Sequence, residues 1–364
     1  MAAYTTIDNP ELYFQTVLYT GNDSNRTITL PGDEDMAPDL VWVKNRANAD
    51  WHRVANSLVG SGKQLGINNN AEDTNADGFT GFVSTGFTLG VDGSNIGVNE
   101  TGEAHVAWCW KANGTGSANS VGSITTTATS ANTTAGFSIV NYTGTGSGGA
   151  TIGHGLGLVP DFIITKNRVG TGGAADWHTF HGANTSAPET DYLIFSGTNA
   201  TTDHNQRWND TMPTTTLVTF GNDTGPNQSG SSTMAFIWSG IQGFSKFGSY
   251  TGNGNIDSPF IYLGFRPALV IIKKSSGAGD GWMMFDNKRE GFNAGDGAAI
   301  GNNWLAANAT TVESSNNLVD LLSNGFKVRS THGGLNDSTS SKHLFMAWAE
   351  APFVNSEGVP CNAR

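Results

Sequence analysis

His178 and His181 stand three residues apart, and an H-x-x-H pair suggests a metal site. The surrounding letters, Trp177-His178-Thr179-Phe180-His181, read as a strand, on which residues three apart point to opposite faces. Asp73-Thr74-Asn75-Ala76-Asp77-Gly78 matches the first half of an EF-hand loop, which makes Asp73, Asn75 and Asp77 candidate calcium ligands. Its twelfth position is Ser84 instead of a bidentate glutamate and no helices flank it, so an Asx-rich turn is the competing reading. No other cofactor is expected. Ser61-Gly62-Lys63-Gln64 lacks the first glycine and the hydroxyl of a P-loop, and Gly153-His154-Gly155-Leu156-Gly157 follows no parallel strand. Asp50, Asp176 and Asp280 recur beside tryptophans as turn-forming residues would, and a catalytic dyad is not normally reproduced in every copy of a repeat. With no recognisable Ser/His/Asp triad or nucleophile elbow, no catalytic residue is assigned and the chain is expected not to be an enzyme. Two carboxylates distant in sequence could still hydrolyse a glycoside, and a polysaccharide depolymerase is the alternative function.

Two loops carry the combination that sugar binding uses, an aromatic face beside short polar side chains. They are Trp208-Asn209-Asp210 and Asn302-Asn303-Trp304, both in Gly/Asn-rich surroundings. The same tryptophans could instead fill gaps in a core or in an interface with a neighbour.

These residues hang on a scaffold that repeats three times. Tyr19-Thr20-Gly21, Tyr142-Thr143-Gly144 and Tyr250-Thr251-Gly252 each follow a stretch that includes Phe14, Phe137 or Phe247. A proline, an apolar run and a lysine come next, as Pro38 to Lys44, Pro160 to Lys166 and Pro267 to Lys273, with the same six-residue spacing. Asp50-Trp51-His52, Asp176-Trp177-His178 and Asp280-Gly281-Trp282 form the following marker. Each copy closes on an apolar strand ending in Trp108, Trp238 or Trp348. A short Val/Ile-rich run after a proline is a buried strand, and alternating pieces such as Gly86-Phe87-Thr88-Leu89 and Gly325-Phe326-Lys327-Val328 are half-buried ones.

The fold class expected is all-β, three tandem copies of a β-sandwich-like domain of about 105–125 residues. The boundaries read as 1–112, then a Gly/Ser/Thr-rich linker or edge segment at 113–135, then 136–242 and 243–364. Trp108, Trp238 and Trp348 are each expected in the core of their own domain, with Trp51, Trp177 and Trp282 as further core markers. Lys44, Lys166 and Lys273 are expected at strand ends with their ammonium groups near the surface or paired.

Forty-eight glycines and only 14% charged residues fit many short strands joined by tight turns. A net charge of −12 gives no electrostatic footprint for nucleic acid, and no run is long enough to insert in a membrane. Cys109 and Cys361 match no redox or zinc spacing, and Cys109 between two tryptophans reads as a small buried hydrophobe. The opening MAAYTTIDNPELYFQT lacks the basic and apolar regions of a signal peptide, so synthesis in a cytoplasm without general export is expected. A surface rich in Thr, Ser, Asn and aromatics suits exposure outside the cell, and a virus particle reconciles the two.

The opening MAAYTTIDNPELYFQTVLYTGN, the phrase PDLVWVKNR with its echo PDFIITKNR, and the closing AHVAWCWKA resemble repeat domains in virion structural or tail-fibre-like proteins of marine tailed bacteriophages. The resemblance is strongest over residues 1–112, clear in the second copy and weaker in the third, where KNR is replaced by Lys273-Lys274-Ser275. It implies a bacteriophage virion protein, either a tail appendage or a capsid decoration, with other virion proteins and a host cell-surface glycan as partners. It supplies no catalytic residues. Whether three chains assemble or three internal copies mimic a trimer is left open by the sequence.

Overall fold

A strand that is apolar on both faces must be covered on both sides, and the closing strands are of that kind. In Ala104–Trp110, Val106, Trp108 and Trp110 alternate with Ala107 and Cys109, and the two sets enter different apolar clusters. In Ser232–Trp238, Met234, Phe236 and Trp238 alternate likewise with Ala235 and Ile237. The computed structural model describes residues 3–67, 72–73, 77–92, 96–169, 175–289, 302–337 and 340–361, and the fold is all-β.

Each closing strand lies between the first and third strands of its unit in a large antiparallel sheet, and that order recurs in all three. The first sheet runs Phe14–Thr20, Ala104–Trp110, Leu40–Asn45, Arg53–Asn56, Gln64–Gly66, Glu72–Asp73. In the second, Phe137–Thr143, Ser232–Trp238, Phe162–Asn167, Trp177–His181, Asp191–Ile194 and Thr202–Asp203 follow the same path. The third has Ser245–Thr251, Lys342–Pro352, Phe265–Lys274, Trp282–Asp286, Asn302–Ala306 and Ser314–Asn316. Segment 113–135 supplies an extra edge strand to the second sheet, Ala128–Asn132, and bridges to it and to Ile152. Of the two readings offered for that segment, the edge strand is the one the fold uses.

A short sheet covers one face of each large sheet. In the first unit, Arg26–Thr29, Gly86–Leu89 and Phe79–Val83 do so. Two strands, Ala150–Gly153 and Leu217–Phe220, serve the second, and Phe260–Tyr262, Gly325–Val328 and Val319–Leu322 the third. The tyrosine of each Tyr-Thr-Gly marker ties the first strand of its unit to the segment that leads into the closing strand. Tyr19, Tyr142 and Tyr250 donate through their hydroxyls to Val98 O at 2.6 Å, Pro226 O at 2.6 Å and Leu335 O at 2.8 Å. The marker's glycine admits a neighbouring backbone, because a Cβ at Gly21 or Gly144 would overlap the carbonyl oxygen of Glu100 or Gln228.

The other faces of the three large sheets meet one another. Trp42 packs on Phe195 at 5.6 Å, Phe195 on Trp282 at 4.5 Å and Phe14 on Trp348 at 6.1 Å, which links the first sheet to the second, the second to the third and the first to the third. The expectation of tryptophans in three separate cores is therefore corrected: Trp108, Trp238 and Trp348 all lie in one shared cluster. The closing-strand alignment also shifts. Trp110 lies opposite Leu40 as Trp238 lies opposite Phe162 and Trp348 opposite Leu269, so Trp110, two residues beyond Trp108, is the counterpart. By the same pairing Ser245, and not Phe247, corresponds to Phe14 and Phe137. Trp110, Trp238 and Trp348 form a closed edge-to-face triad with centroids 6.2, 5.9 and 5.3 Å apart.

A core shared by three sheets should unfold as one unit. Urea denaturation followed by tryptophan fluorescence is expected to give a single transition, with Trp238→Ala lowering the stability of the whole chain by about 3–5 kcal/mol. Stepwise loss of one sheet at a time would contradict the shared core.

Candidate functional site

The lysines that end the third strand of each sheet point to the shared side and are fully buried, which corrects the expectation of ammonium groups near the surface. Backbone carbonyls of the following loop take the place of water. Lys44 Nζ donates to Asn45 O and to Asn48 O at 2.9 Å, Lys166 Nζ to Ala175 O, and Lys273 Nζ to Asp280 O at 2.8 Å. Burial pushes all three down to about 8, against partial restoration by Asp50, Asp176 and Asp280.

Opposite these lysines stands a ring of donors that closes on itself. Trp177 lies opposite Lys166 and Trp282 opposite Lys273, while Val43 pairs with Arg53, which puts His52 across from Lys44. Trp177 Nε1 donates to Gly66 O at 3.2 Å and Trp282 Nε1 to Ile194 O at 3.0 Å, and His52 Nε2 lies 3.0 Å from Ala306 O. The second sheet thus bonds the first, the third bonds the second, and the first bonds the third. Gly66, Ile194 and Ala306 occupy matching places in the fifth strands, since they pair with Arg53, His178 and Met283. His52 Nδ1 accepts from Trp42 Nε1 at 2.9 Å, so the imidazole proton is on Nε2 and is donated to Ala306. The Asp-Trp-His marker is consequently offset by one residue in the first copy. His52, not Trp51, is the partner of Trp177 and Trp282.

A second cycle runs the other way around. Asn56, His181 and Asp286 face Leu40, Phe162 and Leu269, and all three are buried. Asn56 Nδ2 meets Met234 Sδ at 3.2 Å, His181 Nε2 meets Phe345 O at 3.2 Å, and Asp286 Oδ2 accepts from Trp108 Nε1 at 3.1 Å. Only Asp286 is an acid, and Arg289 beside it at 2.6 Å balances the charge while lying 5.4 Å over the Trp108 ring.

The sequence-derived candidates fall elsewhere. Trp208 is buried, packs on Phe180 and Phe220 and donates to Asp191 O at 3.0 Å, so it offers no face to a sugar. Asn209 and Asp210 are exposed, with φ of 55° and 44°, and form the turn that follows. Asn302–Ala306 is a strand and not a loop; Asn303 is buried and Trp304 is half-buried against His332. The two tryptophans therefore make no common surface. Of the calcium candidates, Asn75 lies outside the described residues, Asp73 belongs to an edge strand and Asp77 to the turn that follows. His178 and His181 take opposite faces: His178 lies against Gly225, where a Cβ would overlap its Nε2, and His181 reaches the third sheet.

Asp50 and Glu100 form a pair of neighbouring carboxylates. Asn45 Nδ2 donates to both, at 2.8 and 2.7 Å, and burial and then the Asp50 charge push Glu100 up. In the third unit the matching pair, Asp280 and Asp337, is bridged by Lys274 at 3.5 and 2.5 Å. In the second, Asn167 instead donates to Gln228 at 2.8 Å.

Sequence reading missed three buried asparagines, Asn99, Asn227 and Asn336, whose amides donate to Gly90 O, Gly221 O and Ser330 O at 2.7, 2.7 and 3.1 Å. Each precedes its closing strand by a few residues, and counting back from those strands would have found them.

The geometry defines a class: an all-β protein in which three sandwich-like units share one core and hold one another by buried polar cycles. Residues 9–352 match the family described as a domain of unknown function (DUF7483), and the chain belongs to that family. The matched span runs through all three large sheets. No curated protein and no solved structure matches the chain.

The buried imidazoles and lysines set a pH profile. Burial holds His105 and His181 down to about 4, from an ordinary 6.5. The unfolded chain takes up protons in that window that the folded chain refuses, so stability should fall as pH drops from 6.5 toward 4, by about 3 kcal/mol for each histidine. The lysines release protons near 8 when folded and near 10.5 when unfolded, so their contribution makes stability rise with pH across that interval. Above 10, the buried Tyr19, Tyr142 and Tyr250, held well above their ordinary value, should reverse the trend. Calorimetric melting across these intervals checks each sign. Trp177→Phe, which deletes the bond to Gly66 and leaves a cavity where the second ring of the indole stood, is expected to cost about 2–4 kcal/mol in urea titrations, more than the ~0.5–1.5 kcal/mol of the bond alone.

Proposed function

We propose that the chain is a structural protein of a bacteriophage virion, a tail appendage or capsid decoration exposed on the particle and in contact with the host surface. The observation that carries this reading is the closed cycle of buried hydrogen bonds from Trp177, Trp282 and His52. A block locked in this way suits a passive part that must keep its shape outside the cell. The recurring strand order adds to it, because one chain with a threefold arrangement of sheets can seat on a trimeric virion partner without itself forming a trimer. The low charge and the resemblance of the opening and closing phrases to phage virion repeats point the same way.

Mass spectrometry of purified virions from an infection that expresses this chain is the test. The protein is expected in particles at a fixed copy number relative to the other virion proteins. Presence in the lysate and absence from purified particles would overturn the proposal.

A further inference from the structure

Between the second and third sheets lies an open cleft of about 400 Å³, lined by Tyr4, Asp161, Gln242, Lys246, Phe247 and Tyr262 among others. Its size is that of a small-molecule site. The aromatic side is exposed, with Tyr262 48% accessible. Tyr262 is held in place. Its hydroxyl lies 3.2 Å from that of Tyr4, which donates to Gly264 O at 3.0 Å, and Lys246 Nζ sits 5.5 Å over its ring while donating to Tyr262 O at 2.8 Å. Across the cleft, Asp161 Oδ2 accepts from Gly240 N at 2.7 Å, which fixes the carboxylate. A Cβ at Gly240 would come within 3.2 Å of that oxygen, a tight contact that glycine avoids.

An oriented carboxylate, an ammonium and the exposed Gln242 around a tyrosine face match the needs of a ring that carries hydroxyls on its edge and C–H groups on its face. One negative and one positive group leave the cleft without the excess charge that a phosphate or a polycation would require. We propose that this cleft binds a single neutral pyranose unit of a glycan, with the sugar face on the side of the Tyr262 ring away from Lys246 and its hydroxyls shared between Asp161 and Gln242. The proposal deepens the host-contact part of the function proposed above. That function is read on particles and this site on the purified chain, so either can fail alone.

The experiment is saturation-transfer NMR on the full chain with the methyl glycosides of glucose, galactose, mannose and N-acetylglucosamine, and with glycerol as the polyol control. At least one pyranoside is expected to receive saturation through its ring protons. Tyr262→Ala and Asp161→Asn, with circular dichroism matching wild type, should each weaken that binding by about tenfold. Silence from all four glycosides with folded wild-type protein would overturn the proposal, as would an unchanged signal in both variants or an equal signal from glycerol. Light scattering that shows a dimer dissociated by Tyr262→Ala would assign the cleft to self-association and overturn it as well.

Discussion

Closing strands with apolar side chains on both faces set the terms for everything else in this molecule. A short sheet covers one face, as in an ordinary sandwich, but the other face carries Trp108, Trp110, Phe236, Trp238, Met346 and Trp348 and is too large to leave wet. Each unit therefore needs the others. Because each sheet's matching surfaces meet different neighbours, the contact is head-to-tail, and a head-to-tail contact must either close or propagate. Here it closes after three, since His52 of the first sheet reaches Ala306 of the third.

Apolar faces alone would leave the sheets free to slide, and the buried polar cycles supply the register. An indole or imidazole N–H that misses its carbonyl in a dry interior loses the bond and keeps the desolvation cost. The units differ in how they meet this demand. Asn56 and His181 are neutral, the imidazole because burial holds it down, and need no counter-ion. Asp286 brings Arg289, which extends through Glu313 at 3.0 Å to Arg46, whose guanidinium pairs with Glu313 at 2.7 Å. The seam between the first and third sheets, distant in sequence, thus gains an ionic network that crosses from one to the other.

Where function is concerned, the fold spends its tryptophans on the interior. Trp208, chosen for a loop, is a core residue: its ring packs on Phe180 and Phe220 and its indole N–H is taken by Asp191 O. The exposed aromatic face belongs instead to Tyr262, a residue without a conspicuous sequence context, beside a lysine and an aspartate that lie far from each other in the chain.

By itself the sequence determined the local grammar: the all-β class, the recurring Tyr-Thr-Gly and proline-to-lysine spacings, and the alternation that marks buried strands. These are legible because they depend on neighbours along one strand and on backbone demands such as the overlap that forces Gly21 and Gly144. Facing and partnership were decided only by the tertiary structure. Matching letters paired Trp51 with Trp177 and Trp108 with Trp238, whereas hydrogen-bond register pairs His52 and Trp110 with them. The burial of Lys44, Lys166 and Lys273 was hidden for the same reason. A lysine at a strand end looks solvated until the carbonyls and the neighbouring sheets that enclose it are brought together in space.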